Sequence, residues 1–198
     1  MKKKYSFLVI SFFRVTNPYS GASEVSYNFY KNIPYKDKKL IQFSEFSQNQ
    51  NNIINVKAVS KIDKLLNIRK LAKIAHDCSI KKSNPIVIIE GASWIGYSFL
   101  FYIYLKKKLK HAKFIYHSHN IEYFLRKQKN NLLISWLSKN FENYIAKNVD
   151  IFTCVSEHDK KKVKDTYNVK AQILANGIDY PNISKLKLLN RKFDYIFF

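Results

Sequence analysis

Seven short runs rich in Val, Ile and Phe alternate along this chain with stretches of helical character, and that alternation limits the fold more than any other feature. The runs are Tyr5–Phe12, Lys39–Phe43, Ile53–Val59, Pro85–Glu90, Lys113–Ser118, Ile151–Val155 and Ala171–Ala175. Several are continuously apolar, the pattern of strands buried on both faces of a parallel sheet. The helical stretches are Ala22–Asn32, Lys61–Ile80, Ser93–Lys110, Glu122–Lys147 and Glu157–Tyr167. In the first, Val25, Phe29 and Ile33 recur every four residues and form one apolar stripe. Ser156-Glu-His-Asp159 has the form of a capping box ahead of the last. Asn17-Pro18, Ser83-Asn84-Pro85 and Asn176-Gly177 mark turns, and the polar stretch Ser44–Asn52 reads as a loop. The expected fold is therefore a doubly wound, Rossmann-like α/β domain, a mostly parallel sheet with helices on both faces. Right-handed crossovers put the C-terminal strand ends on one edge of such a sheet, which is where ligands bind. A motif is chemically interesting here only if it follows a strand.

At 198 residues the chain has room for one domain and a tail. A hydrophobic content of 46% sets it apart from disordered chains. The net charge of +21 is uneven. Residues 57–113 carry thirteen Lys and Arg against Asp63, Asp77 and Glu90. That excess suits an anionic partner, such as an acidic membrane surface or a phosphorylated ligand, although Lys runs also simply solvate helix ends. Nucleic acid is not the expected partner, because the aromatic residues fall in core strands and helices and no RNA-binding aromatic motif occurs. Cys78 and Cys154 are too far apart to suggest a disulfide framework, and a reducing cytoplasm fits them. The basic, then apolar, N-terminus is interrupted by Arg14 and shows no small-x-small cleavage site, so a buried first strand is expected there. Ala92–Leu105 is uncharged but too short for a helix to span about 30 Å of hydrocarbon, so no transmembrane segment is expected.

Three stretches meet the strand-end criterion. Between the first strand and helix lies Arg14-Val-Thr-Asn-Pro-Tyr19-Ser20-Gly21-Ala22. A glycine at a helix N-terminus lets backbone N–H groups approach a phosphate, although a tight turn explains Gly21 as well. The dinucleotide fingerprint G-x-G-x-x-G is absent. The fifth strand ends in His117-Ser-His119-Asn120, and alternation puts His117 and His119 on one side. Neutral histidines there can hydrogen-bond a sugar hydroxyl or move a proton, or merely bond a neighbouring backbone group. No third ligand stands at a spacing that suggests zinc, and no metal is expected. The seventh strand runs into Ala175-Asn176-Gly177-Ile178-Asp179, a turn signal first.

The ordered set of Ser20-Gly21-Ala22-Ser23-Glu24, His119-Asn120, Val149-Asp150 through Ser156-Glu157, and Asn176-Gly177-Ile178-Asp179 resembles the N-terminal, acceptor-side domain of retaining GT-B glycosyltransferases of family 4. The resemblance covers about residues 5–180. It implies that His119 touches the transferred sugar near the reaction centre as the catalytic-site residue. It implies that Ser20, Gly21, Asn176 and Gly177 lie near the donor diphosphate, with Asp179 by the interdomain cleft. It implies acceptor contacts from Tyr19, Gly91, Trp94, His117 and Asn120, although a Trp beside an apolar helix is commonly core. Ser20 departs from the glycine pair of the family, which narrows the backbone's approach to phosphate.

The resemblance further implies a domain over residues 1–180, then an interdomain linker and the opening of a second domain over 181–198. The donor-gripping half of such enzymes has no counterpart here, so a truncated chain, inactive alone, is expected. The implied activity is transfer of a hexose from a nucleotide sugar to a carbohydrate or lipid-linked acceptor in surface polysaccharide or glycoconjugate biosynthesis. No cofactor is expected; the nucleotide sugar is a substrate. The alternative is a non-catalytic acceptor-binding module, or one subunit of a split transferase whose partner chain covers the apolar Tyr195-Ile-Phe-Phe end. The implied location is the cytoplasm, with peripheral contact on the inner face of an anionic membrane.

Overall fold

The computed structural model describes residues 5–128 and 132–176. In chain order the elements are β1 (Ser6–Ser11), α1 (Gly21–Asn32), β2 (Lys38–Ser44), β3 (Ile53–Lys57), α2 (Lys61–Ser79), β4 (Pro85–Glu90), α3 (Ile95–Lys108), β5 (Lys113–Ser118), α4 (Glu122–Gln128), α5 (Leu132–Asn148), β6 (Ile151–Cys154), α6 (Glu157–Tyr167) and β7 (Gln172–Ile173). All seven expected strands are present, β7 shorter than its apolar run. They form one sheet in the order β3-β2-β1-β4-β5-β6-β7, every pair parallel. This is the doubly wound order expected from the alternation. The winding reverses between β1 and β4, and the crevice outside their C-terminal ends is the switch point of such folds.

Helix starts follow local chemistry. Ser20 and Ser60 cap α1 and α2 through reciprocal capping boxes with Ser23 and Asp63. The Ser156 hydroxyl accepts the Asp159 N–H at 3.1 Å, as the sequence pattern indicated. Left-handed backbone falls on Asn17, Asn52 and Asn168, a residue type that tolerates it. Asn168 ends α6 in this way.

One expected element divides. The single helix over Glu122–Lys147 is replaced by α4 and α5, which pack on one another. A straight helix cannot lie against itself. Glu142 of α5 reaches the start of α4, where its carboxylate accepts the Glu122 and Tyr123 N–H groups at 3.0 and 3.1 Å. A carboxylate from the later helix thus satisfies donors that the first turn of the earlier one leaves open.

Strand alternation sorts the core into two clusters. One, with Ile10, Phe43, Val87 and Phe114, packs against α2, α3, α5 and α6. The other, with Val9, Leu40, Ile53 and Ile88, meets Tyr30 and Ile33 at α1. Among the described residues helices do cover both faces: α2, α3, α5 and α6 on one side, where α4 adds Phe124, and α1 on the other. Among the described residues no helix is long and apolar enough to cross a membrane.

Candidate functional site

On the α1 face each strand turns polar at its C-terminal end. Register aligns Asn55 with Gln42, Gln42 with Ser11, Glu90 with His117, His117 with Thr153, and Thr153 with Gln172. Ile10 stands opposite Ile89, so Ser11 and Glu90 are next in line. The result is a row of polar side chains across all seven strands, one per strand. Its left half holds the loop after β1. Gln42 Oε1 accepts the Val15 N–H at 2.8 Å, and its Nε2 donates to Asn55 and Thr16 at 2.7 Å each.

The right half holds the two histidines. Glu90 is fully buried, and its Oε2 accepts from His119 Nε2 at 2.7 Å and from the Ser26 hydroxyl at 2.8 Å. Its Oε1 is buried with no partner. His117 Nδ1 meets the Thr153 hydroxyl at 2.9 Å, and the ring stacks on Phe29 of α1 with centroids 5.2 Å apart. Thr153 in turn donates to the Tyr116 carbonyl at 3.4 Å. The Thr153 hydroxyl thus bridges the Tyr116 carbonyl and the His117 ring. Burial pushes the His117 pKa down, the neighbouring His119 adds to this, and Glu90 opposes it. The strand ends at Ser118, yet the two imidazoles come within 4.7 Å, on one side as alternation indicated.

One ligand atom each from Glu90, His117 and His119 lies within 4.8 Å of the others, a set able to hold a metal ion. Sequence spacing offered no third ligand because Glu90 comes from the neighbouring strand. Its signal was an acid closing an otherwise apolar strand, just before a glycine.

Beside His117 lies a cavity of about 360 Å³, lined by Phe29 of α1, by Ile33 just after that helix, and by Leu174, Ala175 and Asn176 after β7. The apolar stripe read in the first helix, Val25, Phe29 and Ile33, therefore faces this cavity, and Ile33 is also buried in the core. Asn176 thus lines the same cavity as His117, while Gly177 and Asp179 lie outside the described residues.

The remaining expected residues are spread along the same edge. Ser20 and Gly21 are exposed at the start of α1, and a Cβ at Gly21 would meet no atom within 4 Å. Gly91 is buried, donates to the His117 carbonyl at 2.8 Å, and a Cβ there would come within 2.6 Å of the Tyr116 hydroxyl. That contact gives Gly91 a packing reason to be glycine. Trp94 packs edge-on to Tyr97 and Phe141 and donates to the Ser138 hydroxyl at 3.3 Å. Asn120 is exposed, its carbonyl accepting from Ser118 at 2.8 Å. Tyr19 is exposed and lies under the Arg14 guanidinium.

A search of curated proteins finds no match. Among solved structures, an alpha-glucosyltransferase in complex with UDP-glucose and DNA containing an abasic site is 12% identical, with a TM-score of 0.42 over 87% of this chain and 42% of its own. An alpha-glucosyltransferase (AGT) in complex with UDP is 11% identical, with a TM-score of 0.41 over 88% and 42%. The chain thus spans about two fifths of the length of these structures, and likenesses this shallow bear on neither site nor substrate. The family model described as Glycosyltransferase Family 4 matches residues 49–180, a stretch that includes Glu90, His117, His119, Thr153 and Asn176. With well over half of its length matched, and the strand-end histidines inside the match, the chain belongs to glycosyltransferase family 4.

Proposed function

We propose that this chain is the acceptor-side part of a retaining glycosyltransferase. In this reading it helps transfer a hexose from a nucleotide sugar to a carbohydrate or lipid-linked acceptor in surface polysaccharide or glycoconjugate biosynthesis. The observation that carries this is His119, held by buried Glu90 beside the switch point of a family 4 chain. The Nε2 bond to Glu90 fixes the ring and leaves Nδ1 as the nitrogen available to a sugar hydroxyl. Positioning of this kind, with donors aimed at a departing diphosphate, is the protein's part in group transfer. Ser20, Gly21 and Asn176 sit on the donor side in this reading, and Tyr19 and the loops after the early strands on the acceptor side.

Lipid-linked acceptors reside at membranes, and the first half of α2 suits such a surface. Ile62, Leu65 and Leu66 are exposed there among Lys61, Lys64, Arg69 and Lys70. Each cation near an anionic leaflet contributes about 1 kcal/mol, screened by salt. Peripheral docking on the cytoplasmic membrane face follows from the same reading.

The test is transfer of labelled hexose, from a panel of nucleotide sugars to extracted lipid, in lysates overproducing the chain. Overproduction should raise transfer, and His119→Ala should remove that gain by about a hundredfold or more, the scale of one lost transition-state contact. An equal gain from wild type and His119→Ala would remove the reading.

A further inference from the structure

Away from the histidines, at the ends of β1, β2 and β3, a second cavity of about 130 Å³ is lined by Arg14, Tyr19, Ser44, Glu45, Val59 and Lys64, among others. It falls well below the roughly 300–1,000 Å³ of pockets that enclose a whole drug-sized ligand, so it has room for one group of a larger molecule. The Arg14 guanidinium lies 5.5 Å from the Tyr19 ring and 5.6 Å from the Phe46 ring. One of its terminal nitrogens reaches Glu45 at 3.3 Å, and its Nε is buried with no acceptor. Across the cavity, half-buried Lys64 makes no ion pair among the described residues. Two cations thus face one half-exposed carboxylate, and a buried N–H donor is left open. A buried donor without an acceptor is costly, and a guanidinium and an ammonium lining one cavity match the oxygens of a phosphate.

The rim has a different character. Tyr19, Phe46 and Val59 are 63%, 60% and 61% exposed. Tyr19 and Val59 line the cavity itself, and Phe46 flanks its Arg14 side. A cationic cavity with an apolar approach fits an amphiphilic anion.

We propose that this cavity binds the phosphate of a lipid phosphate, with Arg14 and Lys64 on its oxygens and the hydrocarbon chain along Tyr19, Phe46 and Val59. The proposal deepens the glycosyltransferase reading, since a lipid phosphate is the anchor of a lipid-linked acceptor. Glu45 occupies Arg14 until the ligand arrives, so it acts as an internal competitor.

Calorimetric titration of the full chain with farnesyl phosphate, below its micelle concentration, tests this against farnesol and inorganic phosphate. Farnesyl phosphate should bind at least tenfold more tightly than either control. Lys64→Gln should weaken it about tenfold, the scale of one charge-assisted hydrogen bond. Glu45→Gln should tighten it several-fold, an effect that a purely structural role for Glu45 would not give. Circular dichroism identical to wild type secures both variants as folded. Equal binding of farnesol, equal binding of inorganic phosphate, or indifference of folded Lys64→Gln and Glu45→Gln would each overturn the proposal. The titration needs no sugar donor. Binding without hexose transfer would count against the glycosyltransferase reading alone, and transfer without binding against this site alone.

Discussion

The two faces of the sheet are built from the same strands and differ in what covers them. On one, α2, α3, α5 and α6 close over a continuous apolar cluster that includes Ile10, Phe43, Phe101 and Phe114. On the other, α1 packs a smaller cluster over the strand centres, and the strand ends carry the polar row from Asn55 to Gln172. The first face is where burial is densest, and burial is the chief favourable term in folding. The second leaves buried side chains with hydrogen-bonding capacity at the edge where ligands bind. Stability and chemistry are thus assigned to opposite sides of one sheet, and α1 belongs to both, since its Phe29 stacks on His117 while its Tyr30 is in the core.

Three substitutions would break or sharpen that contrast. Phe101 is fully buried on the four-helix face and meets Phe12 with ring centroids 5.9 Å apart. Phe101→Ala should cost about 3–5 kcal/mol, read from the denaturant midpoint. A cost below about 1 kcal/mol, the typical value for any substitution, would deny that face its dominant role.

Glu142 is a buried acid on that face. It is fully buried and also accepts the Tyr167 hydroxyl at 2.6 Å. Burial pushes its carboxyl from 4.5 up to about 7, against the hydrogen bonds from Tyr167, Tyr123 and Glu122. Because the folded pKa is raised, the folded state keeps a proton that the unfolded chain has already released between these values. Stability contributed by this group therefore falls as pH rises from 4.5 to about 7 and is level above that. The span corresponds to about 3 kcal/mol. Chemical denaturation of wild type and Glu142→Gln at several pH values should show their difference in stability shrinking by that order across the window. A difference independent of pH would mean that Glu142 is not held as a neutral acid.

The smallest effect belongs to the other face. Thr153→Val keeps the shape and removes the partner of His117 Nδ1. One lost hydrogen bond should cost about 1 kcal/mol. A midpoint shift as large as that of Phe101→Ala would show the polar row to be part of the stabilising core.

Much of this was legible along the chain. Strand identity came from unbroken apolar runs such as Pro85–Glu90, and helix starts came from Ser156 and Asp159, because both signals are local. His119 could be singled out because it follows a strand. Its partner could not, because Glu90 and His119 are 29 residues apart and meet only through the pairing of β4 with β5. The same holds for Ser26, 64 residues from Glu90, and for Arg14 and Lys64, which share a cavity only because β1 and β3 flank β2. The division of Glu122–Lys147 into α4 and α5 was equally out of reach, since the acid that caps α4 lies on α5.

By itself, then, the sequence determined the kind of elements, their order and the parallel doubly wound sheet, for these rest on periodicity and capping within a few residues. The tertiary structure alone decided which strand ends stand side by side, which carboxylate holds which histidine, and where two cations are left with one acid between them. Such pairings depend on strand order and register, and a side chain carries no mark of the partner that another strand will bring to it.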